Sequence, residues 1–591
     1  MTTKEAKPLK LKRQQGATPK KKFSRVAEVL VDHEAFHLDS SFSYGVPEEL
    51  INLIRVGSMV KVDFRNEPRT GVVISITEED RAVKPISDLL GGSYYPESMV
   101  QLINAVRARY VGSLHQILRF ARPLVGASAL EEFSTGRGRR PTFHLANAYL
   151  SVLENISALL SKKSRSLIIC ETTSQLETLS YFLGSKGLGP LYKSSRSGFT
   201  ISEKDSESGY LAIGLRGSIF SSLPNLQQII IVNESSPHHL EPRRPRWNTR
   251  DVALLRQRIE GVHLDFVGTS LSAELARLID EGGISYSGGR RPLFRNKTRF
   301  FFSPETFHQA IRTGLHKGHV LVSVSEKSYS NLILCANCNS PLECGCGGRL
   351  IAVAATKLSC NLCGAVQETW SCRHCQSPRY RVLRKGALRI AEEIGKAFPR
   401  TKIAISTAET RPTLTDENTI VISTFGSEPD IVEGFSAVIL LDGEALAARP
   451  LLRSEENLLF RWSTLIANSP RASAIFISLP RQHRVSQTLL AGTPQRFMRD
   501  ELANRKILKL PPFSRAILIR ASESELSNLT ERLRHEFATG IISSSINRGV
   551  LVLRISHEDA PAVLAALRAL QHYRSARGEE LLNIDVDPYD L

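Results

Sequence analysis

The sequence predicts a soluble, multidomain α/β protein, and three observations lead to this fold class. Its 591 residues exceed what one hydrophobic core organises, so we expect several domains. Short apolar runs such as Gln228–Val232 alternate with helical patterns, which is typical of parallel sheets covered by helices. Eight of the nine cysteines fall between Cys335 and Cys375, which indicates a metal-binding insert.

The N-terminal part is rich in predicted strands. Nine basic residues and one acid among the first 25 residues predict a disordered basic arm over residues 1–24. A small β-barrel follows over residues 25–95, and an apolar stripe through Leu102, Val106, Tyr110 and Leu114 then predicts a helix over residues 98–123. The predicted strands of the barrel are Val26–Val31, Phe42–Val46, Ser58–Phe64 and Gly71–Ile76.

Two α/β lobes are expected on either side of the cysteine cluster. Residues 143–330 would form the first lobe, residues 331–380 the metal insert and residues 381–480 the second lobe. The predicted strands of the lobes are Ser166–Cys170, Tyr210–Gly214, Gln228–Asn233, His263–Gly268, Thr401–Ser406, Thr419–Ser423, Ala437–Asp442 and Ala474–Leu479. Strands and helices alternate again over residues 481–591, which predicts a C-terminal α+β domain.

The cysteine spacing predicts two structural zinc ions per chain. A CxxC turn delivers two sulfurs to one ion, and zinc prefers four thiolates in a tetrahedron. Both coordination spheres would be closed to water, and metal binding would stabilise the folded insert. The Cys344–Cys346 pair is a shorter CxC. We assign Cys335, Cys338, Cys372 and Cys375 to the first ion and Cys344, Cys346, Cys360 and Cys363 to the second.

The charge balance points to a polyanionic partner. Seventy-seven basic and 59 acidic residues give a net charge of +18, and nucleic acid is the commonest partner of such a surface. The cluster Arg243, Arg244, Arg246 and Arg250 surrounds Trp247, a combination suited to backbone and stacking contacts, with a solvated basic face as the alternative. No apolar run predicts a membrane span and the N-terminus has no secretory pattern, so we expect a cytoplasmic protein.

Several stretches resemble one bacterial family from about residue 25 onward. The similar stretches are Phe42–Pro47, Val56–Val60, Gly71–Val73, Tyr149–Asn155, Pro245–Ala253, Leu510–Phe513 and Asp585–Pro588. The paired cysteine sites are the most specific landmark. On these residues the chain resembles the PriA family of primosomal replication-restart proteins.

The family is ordinarily a helicase, but its ATPase motifs are degenerate in this chain. The expected Gly-Lys-Thr of the phosphate loop aligns with His144-Leu145-Ala146, which offers neither a lysine nor a hydroxyl for magnesium. The family's Asp-Glu-Glu-His reads Asn233-Glu234-Ser235-Ser236, and an amide is a poor ligand for a hard cation. Arg471 is the one arginine that remains of the later pair. Because positioning and charge stabilisation carry phosphoryl transfer, ATP is not expected as a cofactor.

The resemblance also implies architecture and partners. Residues 25–95 would bind the 3′ end of DNA, residues 96–142 would be winged-helix-like, and the two lobes would be RecA-like and doubly wound. Branched, forked and single-stranded DNA would be the ligands. Primosome proteins, the machinery that loads the replicative helicase and single-stranded DNA-binding protein would be the partners, in the cytoplasm at the nucleoid.

The DNA-contacting residues that the resemblance implies lie in two stretches. They are Phe42, Tyr44, Gly57, Arg69, Arg243, Arg246 and Arg250. Phe42 and Tyr44 would line a 3′-end pocket, with packing inside the barrel as the alternative, and Ser43 replaces an aspartate that contacts the end in the family. The expected function is fork recognition and primosome assembly without ATPase activity. The alternatives are an active 3′–5′ DNA helicase with a divergent nucleotide site and a zinc-ribbon nucleic-acid adaptor.

Overall fold

The structure is a computed structural model that describes most of the chain. The described residues are 21–121, 123–125, 139–146, 151–194, 198–288, 298–325, 332–354, 357–360, 363–367, 369–384, 386–414, 418–429, 431, 434–469, 472–547 and 549–591. Residues 1–20 of the expected basic arm and Arg471 lie outside them. Lys21–Phe23, at the end of the expected arm, form a strand.

A seven-stranded sheet forms the N-terminal domain. Its strands are β1 (Lys21–Phe23), β2 (Val26–Val31), β3 (Ser41–Gly45), β4 (Ser58–Phe64), β5 (Glu67–Thr77), β6 (Arg81–Tyr94) and β7 (Leu124–Val125). Strand β6 pairs with β3 on one side and with β4 on the other, so the order β6-β3-β2-β5-β4 closes on itself. Arg65 and Asn66 both have positive φ, as a two-residue hairpin turn between β4 and β5 requires.

Two helices follow the sheet where the sequence predicts one. They are α1 (Glu97–Arg109) and α2 (Leu114–Leu118). Val111 has a φ of 52°, and Ser113 forms a capping box with Gln116 that starts α2. The residues of the predicted apolar stripe are buried on both sides of this break. Where a winged-helix-like segment is expected, the described residues form these helices and β7, which joins the N-terminal sheet.

The first lobe is a parallel sheet with helices between its strands. Its elements are β8 (Thr142–Leu145), α3 (Val152–Ala158), β9 (Arg165–Ile169), α4 (Thr173–Ser185), β10 (Leu191–Ser194), α5 (Glu203–Ser208), β11 (Tyr210–Gly214), β12 (Gln228–Val232), α6 (Thr249–Glu260), β13 (His263–Gly268), α7 (Ala273–Asp280) and β14 (Ser285–Ser287). The strand order is β10-β11-β9-β12-β13-β8-β14, and every neighbouring pair is parallel. The strands are apolar on both faces because helices cover both.

The second lobe begins before the cysteine insert and resumes after it. Before the insert, the lobe contains β15 (Arg299–Phe301), α8 (Phe307–Leu315) and β16 (Val320–Val324). The insert contains β17 (Leu332–Cys335), β18 (Leu350–Ala354), β19 (Lys357–Cys360), β20 (Val366–Gln367) and β21 (Tyr380–Arg384). After the insert, the lobe continues with α9 (Ala387–Ala397), β22 (Lys402–Ser406), β23 (Thr419–Thr424), β24 (Ala437–Leu440), α10 (Gly443–Ala447), α11 (Ser454–Ala467) and β25 (Ala474–Ile477). The parallel sheet has the order β15-β25-β24-β16-β23-β22.

This strand order corrects the expected boundary at residue 330. Strand β16 pairs with β23 and β24, and β15 pairs with β25, so residues 298–324 belong to the second lobe rather than to the first. The cysteine cluster is therefore an insertion within the second lobe. Pattern alone could not reveal this, because the pairing joins strands about 100 residues apart in the chain.

The C-terminal part combines helices with an antiparallel sheet. Its elements are α12 (Arg484–Ala491), α13 (Pro494–Ile507), β26 (Arg515–Arg520), α14 (Glu523–Glu536), β27 (Ile541–Asn547), β28 (Val550–Ile555), α15 (Ala560–Ala576) and β29 (Asn583–Val586), with strand order β27-β28-β26-β29. One buried apolar cluster runs from α1 through both lobes into this sheet and includes Trp247 and Trp462. Among the described helices, none has the length and apolar character needed to cross a bilayer.

Candidate metal centres and nucleic-acid interface

The insert gathers the eight clustered cysteines into two groups of four. Within each group the sulfurs lie within 4.8 Å of one another. The groups are Cys335, Cys338, Cys372 and Cys375, and Cys344, Cys346, Cys360 and Cys363, the same two sets that we assign from the sequence. Two chain segments contribute to each group, so each metal site would tie the two ends of its loop together.

The sulfur distances fit a tetrahedral metal ion. Sγ atoms lie 3.5 Å apart in the Cys335–Cys375 and Cys346–Cys360 pairs and 3.8 Å apart in the Cys344–Cys363 pair. Zinc–sulfur bonds of about 2.3 Å in a tetrahedron require sulfurs about 3.8 Å apart. A disulfide would need about 2.05 Å. The residues present therefore fit two four-thiolate sites, which zinc would fill without an open position for water.

Each cysteine pair ends in the same kind of turn. The residue after the second cysteine has positive φ in all four pairs: Asn339, Gln376, Gly347 and Gly364. Backbone N–H groups also point toward sulfur in these turns: Asn337 donates to Cys335 Sγ and Gly348 donates to Cys346 Sγ, both at 3.4 Å. The shorter Cys344–Cys346 pair follows the same rule. The glycine or asparagine after three of the four pairs was a signal available in the sequence.

Phe42 and Tyr44 lie on the inner face of the N-terminal sheet. Tyr44 is buried, its hydroxyl donates to the Asp63 carbonyl oxygen at 3.2 Å, and burial together with Asp63 raises its pKa to about 12. Phe42 is half-buried and meets Phe64 edge to face at 4.9 Å between ring centroids. Both contacts are those of core residues, so the structure favours the packing alternative for Tyr44 and leaves only Phe42 partly accessible.

Gly57 and Arg69 also have separate roles. Gly57 has a φ of 88°, and a Cβ atom there would lie 1.7 Å from the Tyr95 carbonyl oxygen, so the close approach of the turn before β4 to the end of β6 requires glycine. The Arg69 side chain is 42% exposed and pairs with Glu67 at 2.7 Å. Exposed pairs of this kind are weak, so Arg69 can exchange Glu67 for a phosphate at little cost.

A polar group that sequence reasoning missed surrounds Ser43. Its hydroxyl donates to Glu28 Oε1 at 2.5 Å, and Arg81 Nη1 donates to Ser43 Oγ at 3.1 Å. Glu28 and Ser43 are cross-strand partners on β2 and β3. Because side chains alternate along a strand, the Ser43 group, which consists of Glu28, Ser43 and Arg81, lies on the face opposite Phe42 and Tyr44. The strand pairing that brings Glu28 to Ser43 could not be read from the sequence.

The four arginines of the arginine-rich stretch differ in exposure: Arg243 is exposed, Arg244 and Arg246 are half-buried, and Arg250 is buried. Arg243 is 62% exposed, its Nε donates to the buried Glu241 at 2.8 Å, and its guanidinium lies 5.2 Å from the Phe120 ring centroid. Arg246 pairs with Asp585 at 2.7 Å. Trp247 is fully buried against Phe120 and Phe220, so it cannot stack on a base.

Arg250 is an interior residue, which corrects its expected role as a DNA contact. It is 7% exposed and donates to Asp251, Ser272 and Glu274 at about 3 Å. Several buried acids surround it, and a phosphate could reach it only after these ion pairs had broken. Sequence composition could not separate Arg250 from Arg243, since its acidic partners come from its own helix and from α7.

The degenerate ATPase positions are filled by contacts within the protein. The Asn233 amide donates to Glu171 Oε1 at 2.8 Å. Glu234 is buried and accepts from the Ser272 backbone N–H at 2.7 Å and its hydroxyl at 2.9 Å. Burial raises the pKa of Glu234 to about 7, although Arg250 lies 3.6 Å away. Thr269 reaches across the cleft to Ser463 and Thr464 of the second lobe, at 3.2 and 3.0 Å.

Comparison with known proteins identifies the relatives of this chain. Residues 28–123 match the family model of the PriA 3′ DNA-binding domain. A Mycobacterium tuberculosis protein named probable replication restart protein PriA is 27% identical over 557 residues, which cover 80% of this chain and 84% of that protein. The chain is thus similar to PriA proteins over most of its length. The replication restart protein PriA of Rickettsia conorii is 22% identical over 586 residues, which cover 86% of this chain and 89% of that protein.

The PriA resemblance drawn from the motifs is thereby confirmed. The matched domain contains Phe42, Tyr44, Gly57 and Arg69, together with the Ser43 group. Among solved structures, S. cerevisiae Dbp5 bound to RNA and ADP BeF3 aligns with 69% of this chain and 91% of that chain, at 9% identity and a TM-score of 0.33.

Proposed function

We propose that this protein acts in replication restart. It binds stalled or abandoned replication forks, marks or remodels them, and promotes assembly of the primosome that reloads the replicative helicase. The observation that carries the proposal is the match of residues 28–123 to the PriA 3′ DNA-binding domain, within a similarity to PriA proteins over four fifths of the chain. The proposed partners are primosome proteins, the helicase-loading machinery and single-stranded DNA-binding protein.

The Ser43 group supports recognition of a free 3′ end. A terminal ribose hydroxyl can donate to the Glu28 carboxylate and accept from Arg81, and such charge-assisted bonds are stronger than neutral ones. Glu28 would thus supply, from the neighbouring strand, the carboxylate that the family carries at position 43. A 3′-phosphate would instead be repelled by Glu28.

Exposed basic residues support contact with the DNA backbone. Arg69 and Arg243 keep much of their side chains accessible, and the whole chain carries a net charge of +18. Phosphate contacts release counterions, so affinity should fall steeply as salt rises. Arg246 and Arg250 are left out of this proposal because buried acids hold them.

Features of the first lobe support the absence of ATPase activity. The connection from β8 to α3 spans residues 146–151 and contains neither glycine nor lysine, whereas a phosphate loop needs both. Asn233 and Glu234 occupy the positions of the magnesium-binding acids and are engaged by Glu171, Ser272 and Arg250. We therefore propose that the lobes serve as a scaffold and that the zinc ions only stabilise the insert.

Fork binding with and without ATP tests the proposal. Fluorescence anisotropy would compare a fork carrying a 3′-hydroxyl at the branch, the same fork with a 3′-phosphate, a blunt duplex and single-stranded RNA, each with and without magnesium-ATP. We expect the hydroxyl fork to bind most tightly and ATP to change nothing. DNA-stimulated ATP hydrolysis, or equal affinity for fork and blunt duplex, would overturn the proposal.

Two variants, each with one glutamate replaced by glutamine, test the Ser43 group. Glu28→Gln should lower the preference for the hydroxyl fork over the phosphate fork by about tenfold, as expected for one charged hydrogen bond. Glu49→Gln removes the same charge from an exposed position in the same domain and should leave the preference unchanged. An unchanged preference in Glu28→Gln would remove Glu28 from the site without touching fork binding itself.

A further inference from the structure

Tyr589 lies between the two lobes and contacts both. Its hydroxyl is 3.0 Å from the carbonyl oxygen of Ser235, which follows β12 of the first lobe. The same hydroxyl lies within hydrogen-bonding distance of the Asn457 side chain on α11 of the second lobe. The tyrosine hydroxyl therefore contacts both walls of the cleft, and its single O–H donates to one of these two oxygens at a time.

The residues around Tyr589 are held by the second lobe as well. The Arg453 Nε donates to the Tyr589 carbonyl oxygen, and the Arg453 backbone N–H donates to Asp590 Oδ1 at 3.0 Å. The Arg453 guanidinium also lies 5.5 Å from the centroid of the tyrosine ring. Three kinds of contact from one arginine thus fix the path of residues 589–590.

Asp587 holds the chain in place between β29 and the segment that enters the cleft. Its carboxylate accepts from Arg109 at 3.1 Å and from Arg515 at 2.6 Å, which belong to α1 and β26. The chain is therefore fixed where it leaves the C-terminal sheet, and it enters the cleft already oriented. Preorganisation of this kind reduces the conformational entropy that binding the cleft would cost.

Two cavities flank Tyr589. One of about 330 Å³ is lined by Glu234, Arg453 and Glu456 among others, and one of about 250 Å³ is lined by Ser236, Asn457 and Phe460 among others. Tyr589 lines both cavities.

We infer that the interlobe cleft is a binding site whose ligand is the chain's own segment 588–591. The segment bridges the lobes through the tyrosine hydroxyl and the Arg453 contacts, and so holds them in one arrangement without a nucleotide. In a nucleotide-driven motor such bridging would come and go with the ligand, whereas here it is part of the polypeptide. This inference does not depend on whether the protein binds DNA.

Hydrogen exchange measured by mass spectrometry tests this inference. The protein would be compared with a variant lacking residues 588–591, with Tyr589→Phe and with the control Tyr573→Phe, whose side chain is 58% exposed on α15. In the deletion variant we expect amide exchange in α11 and in residues 233–236 to rise at least about tenfold, as the loss of one to two hydrogen bonds predicts. Tyr589→Phe should give a smaller rise, and Tyr573→Phe none.

Adding the missing peptide in trans separates a ligand from a folding element. A synthetic peptide with the sequence of residues 587–591 should restore protection in the deletion variant, whereas the same peptide with phenylalanine in place of tyrosine should restore less. Exchange in β26–β29 serves as the check that the C-terminal sheet is intact. If that sheet loses protection in the deletion variant, Tyr589→Phe decides the question. Unchanged exchange at the cleft in Tyr589→Phe would overturn the inference.

Discussion

The interlobe cleft and the cysteine insert both gather polar side chains, but these side chains find their partners in different ways. In the cleft, Arg453 pairs with Glu274 and Glu456, and Glu456 pairs in turn with Arg505. In the insert, four sulfurs of like character converge in each group. Alternating charges satisfy one another, whereas converging thiolates repel unless a cation lies among them. The cleft is therefore complete within the protein, and the insert calls for a ligand from outside.

Removal of one zinc ligand should have the largest effect. Cys372→Ser should reduce the zinc content from two ions to one per chain and expose residues 332–384 to protease. Structural zinc sites contribute about 10–16 kcal/mol in small domains, and the insert has only a small apolar core of its own around Ile333 and Leu350. Metal analysis and limited proteolysis measure both outcomes.

Cys170→Ala is the matched control for this experiment. Cys170 is buried in the first lobe, away from both sulfur groups, so its replacement should leave the zinc content at two. Two zinc ions bound to Cys372→Ser would show that the insert does not need its full set of sulfurs, and the contrast with the cleft would then fail.

Breaking the charge network of the cleft should have the next largest effect. Arg453 is 7% exposed at its side chain, and Arg453→Met would leave Glu274 and Glu456 without one of their partners. Loss of one member of a buried ion pair costs about 3–5 kcal/mol of unfolding free energy. Urea unfolding of the variant measures this loss. The control is Arg534→Met on the exposed side of α14, which should change the unfolding free energy by no more than about 0.5 kcal/mol. A loss under about 1 kcal/mol would mean that the cleft charges are not coupled.

The two regions also differ in how far the sequence predicts them. The grouping of the sulfurs follows from local spacing, and strand β13 lies at the predicted residues His263–Gly268. Local pattern suffices in these cases because the interacting groups are close in the chain or repeat with the period of their element. The left-handed residues after each cysteine pair belong to the same class of signal.

The cleft could not be predicted, because its contacts join distant segments. Arg453 meets Glu274, 179 residues away, and Tyr589 meets Ser235, 354 residues away. The same reason explains why the sequence pattern places β16 in the first lobe and predicts that Arg250 is accessible to DNA. An arginine has the same local pattern whether it faces solvent or a buried carboxylate, so only the fold distinguishes them.

Glu234 should make the stability of the cleft depend on pH. Burial raises the pKa of its carboxyl from the usual 4.5 to about 7, so the folded protein holds a proton that the unfolded chain releases. The stabilising contribution is complete below about pH 4.5 and is lost as the pH rises to 7. Between pH 4.5 and 7, the unfolding free energy of the wild type should therefore fall by about 3 kcal/mol relative to that of Glu234→Gln.

Unfolding of both proteins in urea at several pH values measures the difference. Other titrating groups cancel in the comparison, since the two proteins differ only at residue 234. Glu203→Gln, at an exposed position on α5, should follow the wild type at every pH. If the unfolding free energies of the wild type and Glu234→Gln changed in parallel with pH, the Glu234 carboxyl would be ionised in the folded protein, as a residual magnesium ligand would be.

The smallest effect should come from an exposed arginine, and it extends the comparison to the DNA-binding surface. Arg243→Gln removes at most one phosphate contact, so the slope of log affinity against log salt should become shallower by about 0.9 on duplex DNA. Stability should fall less than in Arg246→Gln, because Arg216 still pairs with the buried Glu241 after Arg243 is replaced. Arg246→Gln is the matched control: it frees the buried Asp585, so it should lower stability and leave the salt slope unchanged. Equal salt slopes for the wild type and Arg243→Gln would show that Arg243 does not contact a DNA phosphate.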